Sequence, residues 1–462
     1  MDILCNVEQI RGLPPVEKQM MADLLDIYKA HAVKNKDKER YYEGNIPLDE
    51  VNLGIALPDS LAKLQISCAW GSKAVDVLAS RSMFDGFVNA SGSQSDELAD
   101  LVLNNNLIAE YAKACRDELK FGCTYATLSA DSAIKCRVRF HSPLTAAAKW
   151  SGEKGRIAYG FAVINVEQTN GNGEYHATVI NLYTDDAIWV LERKNMNWFA
   201  TEHPHEMGRP LMEAFVWNAT SSKPFGRSRI KGPIRRLIQG YVRTMANATI
   251  GLEFATSPQK YLLGITDDQY DQVINQKFRQ YVGSIIASTT NPETGEKPSF
   301  GQLQQGNITP HVEMMRLLAT QFSAATGLSV TDTGVVNDAN PTSSDAILAQ
   351  TQTLVSMAEQ LNSGNGDSLR TVALMALAIM GNTTMEALED EKRDIIAHFK
   401  NPAMPSVAVT ADAAIKIASA RQGFANTDTF LEMIGFDQAD IRRIKAQERM
   451  NNGLQIVSEL EE

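Results

Sequence analysis

Between Gly122 and Trp217 the spacing of apolar residues changes from three or four to two, and this change constrains the fold more than any other feature. CTYATLSA, IKCRVRF, IAYGFAVINVE, EYHATVINLYT and AIWVLER alternate or cluster β-branched and aromatic residues, the pattern of strands. NGNG at Asn170 to Gly173 predicts a hairpin, because Asn and Gly accept positive φ. On both sides of this block the period is helical. The chain therefore reads as α+β, with a β-meander set between helical regions.

In the first helical region, Pro14 and Pro15 open a helix with Met20 or Met21, Leu24, and Ile27 or Tyr28 on one face. The mixed charges of Lys34 to Arg40 read as a solvated face or connector. A long helix is expected from about Ser95 to Lys120, with Leu98, Leu101 or Val102, Ile108, Tyr111 and Leu119 inside.

After the meander a helix is expected from about Ser228 to Phe254. Its apolar stripe is Ile234, Leu237, Tyr241, Met245, Ala248 and Leu252, and Pro233 is tolerated in its first turn. An insert over Ala255 to Gln305 follows: strand KYLLG, a polar helix around TDDQYDQVINQKFRQ, strand VGSIIAS and the turn NPETGEKP. TPHVEMMRLLATQFSAATGL is then a second helix, with Thr309 as cap, Pro310 behind it, Glu313 in the positive-dipole turn and Gly327 as terminator. Two antiparallel helices thus carry a small domain at their tip. Ser329 to Asn340 is a polar loop long enough to suggest function. Asn340 and Pro341 restart a helix whose seam is Ile347, Thr351, Leu354, Ala358 and Leu361, and the chain ends in further helices and an acidic tail.

At 462 residues the chain suits roughly three domains. Its 44% hydrophobic and 21% charged residues are those of an ordinary globular protein. Cys5, Cys68, Cys115, Cys123 and Cys136 are odd in number and form no C-x-x-C pair, which argues against a disulfide framework or zinc site and fits a reducing cytosol. VALMALAIM, the longest apolar run, is about half a membrane span, and MDILCNVEQIRG lacks the order of a signal peptide. Use inside a cell, or inside an exported assembly, is expected, with no membrane partner.

No metal, cofactor or catalytic site is expected. HPHE (His203 to Glu206) has ligand-type residues but no second cluster, and reads as an exposed loop. No P-loop, G-x-S-x-G or H-E-x-x-H occurs. Asp185 with Asp186, and Asp267 with Asp268, could in principle bind metal in a metal-dependent nucleic-acid-processing enzyme, an alternative reading. Adjacent acids in turns are ordinarily just solvated.

The strongest physical signal is positive charge. The net charge is −11, yet Lys223 to Thr244 holds seven Lys and Arg, and no Asp or Glu occurs from Ala214 to Leu252. Arg229, Arg236 and Arg243 are seven apart, so successive members turn by only ~20° and form a stripe. Lys231 and Arg235 point elsewhere. The stripe meets either phosphates or acids on a neighbouring helix or subunit, and Gly240, Ala246 and Ala248 would permit close packing.

YYEGN, PFGRSRI, TPHVEMMRLLATQFSAATGL, NPTSSDAI and DAAIKIASARQ, in that order from about Tyr41 to Arg449, resemble the portal proteins of tailed bacteriophages and prophages. The resemblance implies a ring, usually of twelve subunits, at one capsid vertex, through which terminase packages double-stranded DNA and by which DNA later leaves. It implies a wing over 1–226 and 342–400, stem helices over 227–254 and 309–327, a clip over 255–308, a tunnel loop over 328–341 and a helical crown over 401–462. It also implies contacts with the terminase large subunit, the major capsid and scaffolding proteins, and head-completion or adaptor proteins, in a virion component assembled in the host cytoplasm. Another oligomeric virion protein, capsid or adaptor, is the alternative.

Carried onto this sequence, the resemblance implies channel residues Thr331, Asp332, Thr333, Val335, Val336, Asn337 and Asp338. Docking residues in the clip would be Asp267, Asp268, Lys277, Arg279, Glu293, Glu296 and Lys297. The stem stripe would be Arg229, Arg235, Arg236 and Arg243. Twelve helices of ~10 Å diameter make a circumference of ~120 Å and a bore of roughly 28 Å, wide enough for a duplex. Each neutralised phosphate adds to binding, so a conduit cannot present every arginine to DNA. Most of the stripe is therefore expected in inter-subunit ion pairs.

Overall fold

The computed structural model describes residues 3, 6–46, 66–89, 96–168, 175–194, 197–256, 260–263, 295, 299–302, 307–334, 344–388, 393–403, 407–421, 423–436, 440, 441, 443–448 and 450. α1 (Pro15–Glu43) and α2 (Trp70–Ala79) lead into β1 (Phe84–Asn89). α3 (Asp96–Asn104) and α4 (Leu107–Phe121) follow. They replace the single helix expected over this stretch, because Asn106 takes the left-handed conformation at φ 49° and breaks the ladder. Ile108, expected inside, is consequently exposed.

The strand block resolves into two sheets. β2 (Cys123–Asp131) is central in one, between β3 (Lys135–His141) and β9 (Met212–Val216). β4 (Ala146–Ser151), β5 (Arg156–Gln168), β6 (Tyr175–Tyr183), β7 (Ala187–Lys194) and β8 (Asn197–Pro204) form an antiparallel meander in sequence order. Gln168 pairs with Tyr175, so a hairpin closes where NGNG predicts one, although Asn170 to Gly173 lie outside the described residues. The two-residue period sorts side chains cleanly. Phe161, Val163, Trp189 and Leu191 face one core with Met21, Leu24 and Leu25 of α1, while Ala162 and Ile188 face the other. Both faces of the meander are thus covered.

α5 (Gly232–Thr256) leaves this body, β10 (Lys260–Leu263) and β11 (Ser299–Gln302) pair antiparallel beyond it, and α6 (Thr309–Thr326) returns. α7 (Ser344–Met380) is then the spine. Val372 to Ala378 are all buried, so VALMALAIM is a core segment of a long helix rather than part of a span. No helix among the described residues is long and apolar enough to cross a membrane. Leu354, Ala358 and Leu361 of the expected seam are buried too.

β12 (Ile395–Phe399) pairs with β1 across some three hundred residues of sequence, a pairing that local pattern does not announce. α8 (Val407–Ala420) and α9 (Asp428–Met433) close the chain, α9 capped by the Thr427 hydroxyl, with more helical residues after 440. Cys68, Cys115, Cys123 and Cys136 are buried free thiols.

Candidate functional site

The basic segment and the polar loop meet at the junction where α5 and α6 join the body. α5 begins at Gly232, three residues after Arg229, so the stripe loses its first member from the helix. Its buried face is Ile234, Ile238, Val242 and Ala246, each four residues apart. Leu237 and Tyr241 of the expected stripe lie half-buried at its edge, Ala248 is buried, and Leu252 is exposed.

α6 packs antiparallel to α5, with Arg229 beside Thr326 at one level and Gly240 beside Leu318 further out. A Cβ on Gly240 would stand 3.3 Å from Leu318, so glycine sets the close approach here. α6 buries Leu318, Ala319, Phe322 and Thr326, all in its second half, and ends on Gly327 at φ 72° as expected. Its start differs slightly. Asn307, not Thr309, supplies the capping oxygen, to the Thr309 N–H at 2.9 Å, and Glu313 falls just past the first turn.

The arginines have three different fates. Arg229 is buried, and its guanidinium donates to the carbonyls of Ala74 at 2.5 Å and Thr326 at 2.7 Å. Burial lowers its pKa to about 10. It pins α2 to the end of α6 within one subunit, so it is removed from both the channel and the inter-subunit assignments. Arg235 is half-buried, its guanidinium 5.7 Å from the Tyr41 ring centre. Arg236 and Arg243 are exposed and make no ion pair among the described residues. The missing acids between Ala214 and Leu252 explain this, since α5 offers no carboxylate before Glu253.

Of the loop, Thr331 to Gly334 are described, and Val335, Val336, Asn337 and Asp338 lie outside the described residues. Thr331–Thr333 form one 3-10 turn closed by Gly334 at φ 76°. The Ser329 hydroxyl donates to the Asp332 carboxylate at 2.7 Å and the Ser329 N–H at 3.1 Å. Asp332 therefore turns inward as a local cap, and Thr333 is buried, whereas Thr331 is exposed. Sequence reasoning missed Trp70, which lies against this turn, because a lone tryptophan in a helix start carries no periodic signal. The clip residues Asp267, Asp268, Lys277, Arg279, Glu293, Glu296 and Lys297 all lie outside the described residues.

Among the described residues, the acid and histidine candidates do not converge on a catalytic arrangement, and Asp267 and Asp268 lie outside those residues. Asp185 is paired with Lys154 at 2.5 Å and Arg156 at 3.8 Å. The His205 ring, expected in an exposed loop, sits in a half-open cleft of about 870 Å³ between β6, β7 and the end of α7. Burial lowers its pKa despite Asp186 and Asp185 nearby. No cluster of metal-ligating side chains occurs among the described residues.

The profile of one family, described as phage portal protein, SPP1 Gp6-like, matches residues 22–454. The chain belongs to that family. Among relatives, the portal protein of Mycobacterium phage D29 is 24% identical over 417 residues, covering 87% of this chain and 82% of its own. That of Mycobacterium phage L5 is 23% identical over 448 residues, covering 91% and 85%. Among solved structures, a chain in the neck of an empty gene transfer agent particle has a TM-score of 0.48 at 11% identity, covering 79% of this chain and 89% of that one. A chain in the neck of the native particle, computed with C12 symmetry, has 0.46 at 12% identity over the same shares. Portal proteins of this family are structural components of the virion's portal vertex, serving packaging and ejection of the genome.

Proposed function

We propose that this chain forms a closed ring of about twelve copies whose stem is the α5–α6 pair, and that duplex DNA slides through the ring without chemistry on it. The body on either side of the pair would be the wing, 255–308 the clip that docks the terminase large subunit and later head-completion or adaptor proteins, and 401–462 the crown. The wing would meet the capsid and scaffolding proteins, in an assembly built in the host cytoplasm. The observation that carries this reading is the pair Arg236 and Arg243, exposed and without an ion pair among the described residues, on a helix with no acid before Glu253. With Arg316 of α6, the helix pair carries three exposed arginines, few enough to leave a duplex free to move, since affinity rises with every phosphate neutralised. We assign Arg236 and Arg243 to acids of the neighbouring copy, with at most one ring left facing DNA. The loop that follows α6, from Thr331 to Asp338, would supply a wall without Lys or Arg.

Mass measurement and negative-stain microscopy of the purified protein test the ring: a closed particle with a central opening is expected. Arg236→Glu and Arg243→Glu, made separately, test the assignment. Loss of assembly is expected. Intact rings with altered DNA packaging alone would reverse it.

A further inference from the structure

We infer that Trp70 is a positioning residue that ties the turn after α6 to both helices of the pair, so that a relative shift of α5 and α6 is passed directly to the segment beginning at Thr331. The importance of this tie rests on the reading of that segment as a channel wall, but the tie itself does not.

Three contacts made by one side chain carry the inference. The indole lies between Tyr241 of α5, 4.4 Å away between ring centres, and Phe322 of α6, 4.7 Å away. Its Nε1–H donates to the Thr333 carbonyl at 3.1 Å, in a fully buried setting. The backbone that holds Trp70 has no slack. A Cβ on Gly71 would stand 1.9 Å from the Tyr41 carbonyl oxygen, and one on Gly44, at φ 73°, 2.8 Å from that of Cys68. α1 and the start of α2 are therefore held closely together beside Trp70.

Distance decides how sensitive the tie is. A slide of one helix by a single residue's rise, about 1.5 Å, leaves the rings within stacking range but takes the 3.1 Å indole hydrogen bond past its working length unless the turn moves too. The turn must then either follow or lose its only indole donor. On the far side, Gly334 is exposed, with positive φ and open space around it. Arg229 holds the end of α6 independently through Thr326. Removal of the indole N–H alone should therefore leave the junction folded.

Hydrogen exchange on the full-length purified protein tests the tie. Trp70→Phe keeps an aromatic ring between Tyr241 and Phe322 but deletes the donor. It is expected to leave particle mass and the protection of α5 and α6 unchanged, while the amides of Thr333 and Gly334 exchange about tenfold faster. A uniform rise through both helices, or no change at the turn, would reduce Trp70 to core filling and overturn the inference. Asp332→Ala supplies a second arm that leaves Trp70 untouched. Coupling is reciprocal, so opening the turn from its own side should also raise exchange of the α5 and α6 amides beside Tyr241 and Phe322. Unchanged helix amides in that variant would overturn it equally. A purified protein that is not a ring counts against the proposed function and leaves these exchange outcomes as decisive as before.

Discussion

The five-stranded meander and the α5–α6 pair are built to different specifications. In the meander the inner strands find cover within the chain: Phe161, Ile180, Leu182 and Leu191 of β5, β6 and β7 are fully buried, in one core with α1. The outer half of the helix pair is left bare. Leu317 is 52% exposed, Leu252 47% and Met314 43%, and Arg236 and Arg243 of α5 are exposed with no ion pair among the described residues. One region is complete as a single chain, whereas the other presents apolar and cationic surface that a neighbouring copy would cover. The contrast separates residues that specify the subunit from residues that specify the assembly.

Substitutions should fall on one side or the other of this division. The largest effect is expected from Phe161→Ala, which opens a cavity in the meander and should cost about 3–5 kcal/mol. Chemical denaturation of the isolated chain reads this, and a loss near zero would mean that the meander also relies on neighbours. Glu118 sharpens the comparison from inside the body. It is buried in α4 with one carboxylate oxygen unpartnered, the other accepting from the Asn365 amide at 2.7 Å. Burial raises its pKa to about 8, only partly offset by that hydrogen bond. The folded state therefore holds a proton that the unfolded state has released. Stability from this group is complete below pH 4.5 and falls, by up to about 1.4 kcal/mol per pH unit, until pH 8. Glu118→Gln should flatten that slope in a series of melts. The smallest effect on the subunit is expected from Leu317→Ser, within about 0.5 kcal/mol by denaturation of dilute protein. The same change should weaken the ring in sedimentation, and an unchanged ring would remove α6 from the contact surface.

Much of this architecture is legible in the sequence where one face of an element repeats. The meander's period of two and the buried steps of α5 and α7 are such signals, and Gly327 marks its helix end because a positive φ was needed there. What escapes notice depends on distant partners or on single residues. β1 and β12 are short, and each is a strand only because the other lies beside it. Asn105 and Asn106 look like helix surface until Asn106 takes the left-handed turn. Arg229 shares the heptad spacing of Arg236 and Arg243, yet its place before Gly232 buries it against backbone carbonyls. Periodicity reports which residues share a face, and is silent about which end of the element has already entered the core. The part of the site that faces outward, Arg236 and Arg243, was therefore readable, and the part that faces inward, Trp70 and Arg229, was not.

α7 has a mechanical consequence. Thirty-seven residues in one uninterrupted helix make a rod of roughly 55 Å. Its near end follows the polar loop, and its stretch from Val372 to Ala378 is buried in the core. Between these, Ser368 donates to the Ala214 carbonyl of β9 and Arg370 to the Ile395 carbonyl of β12, so a push along the rod from residue 344 would be felt at both strands. The chain thus contains a lever whose fulcrum is its own interior.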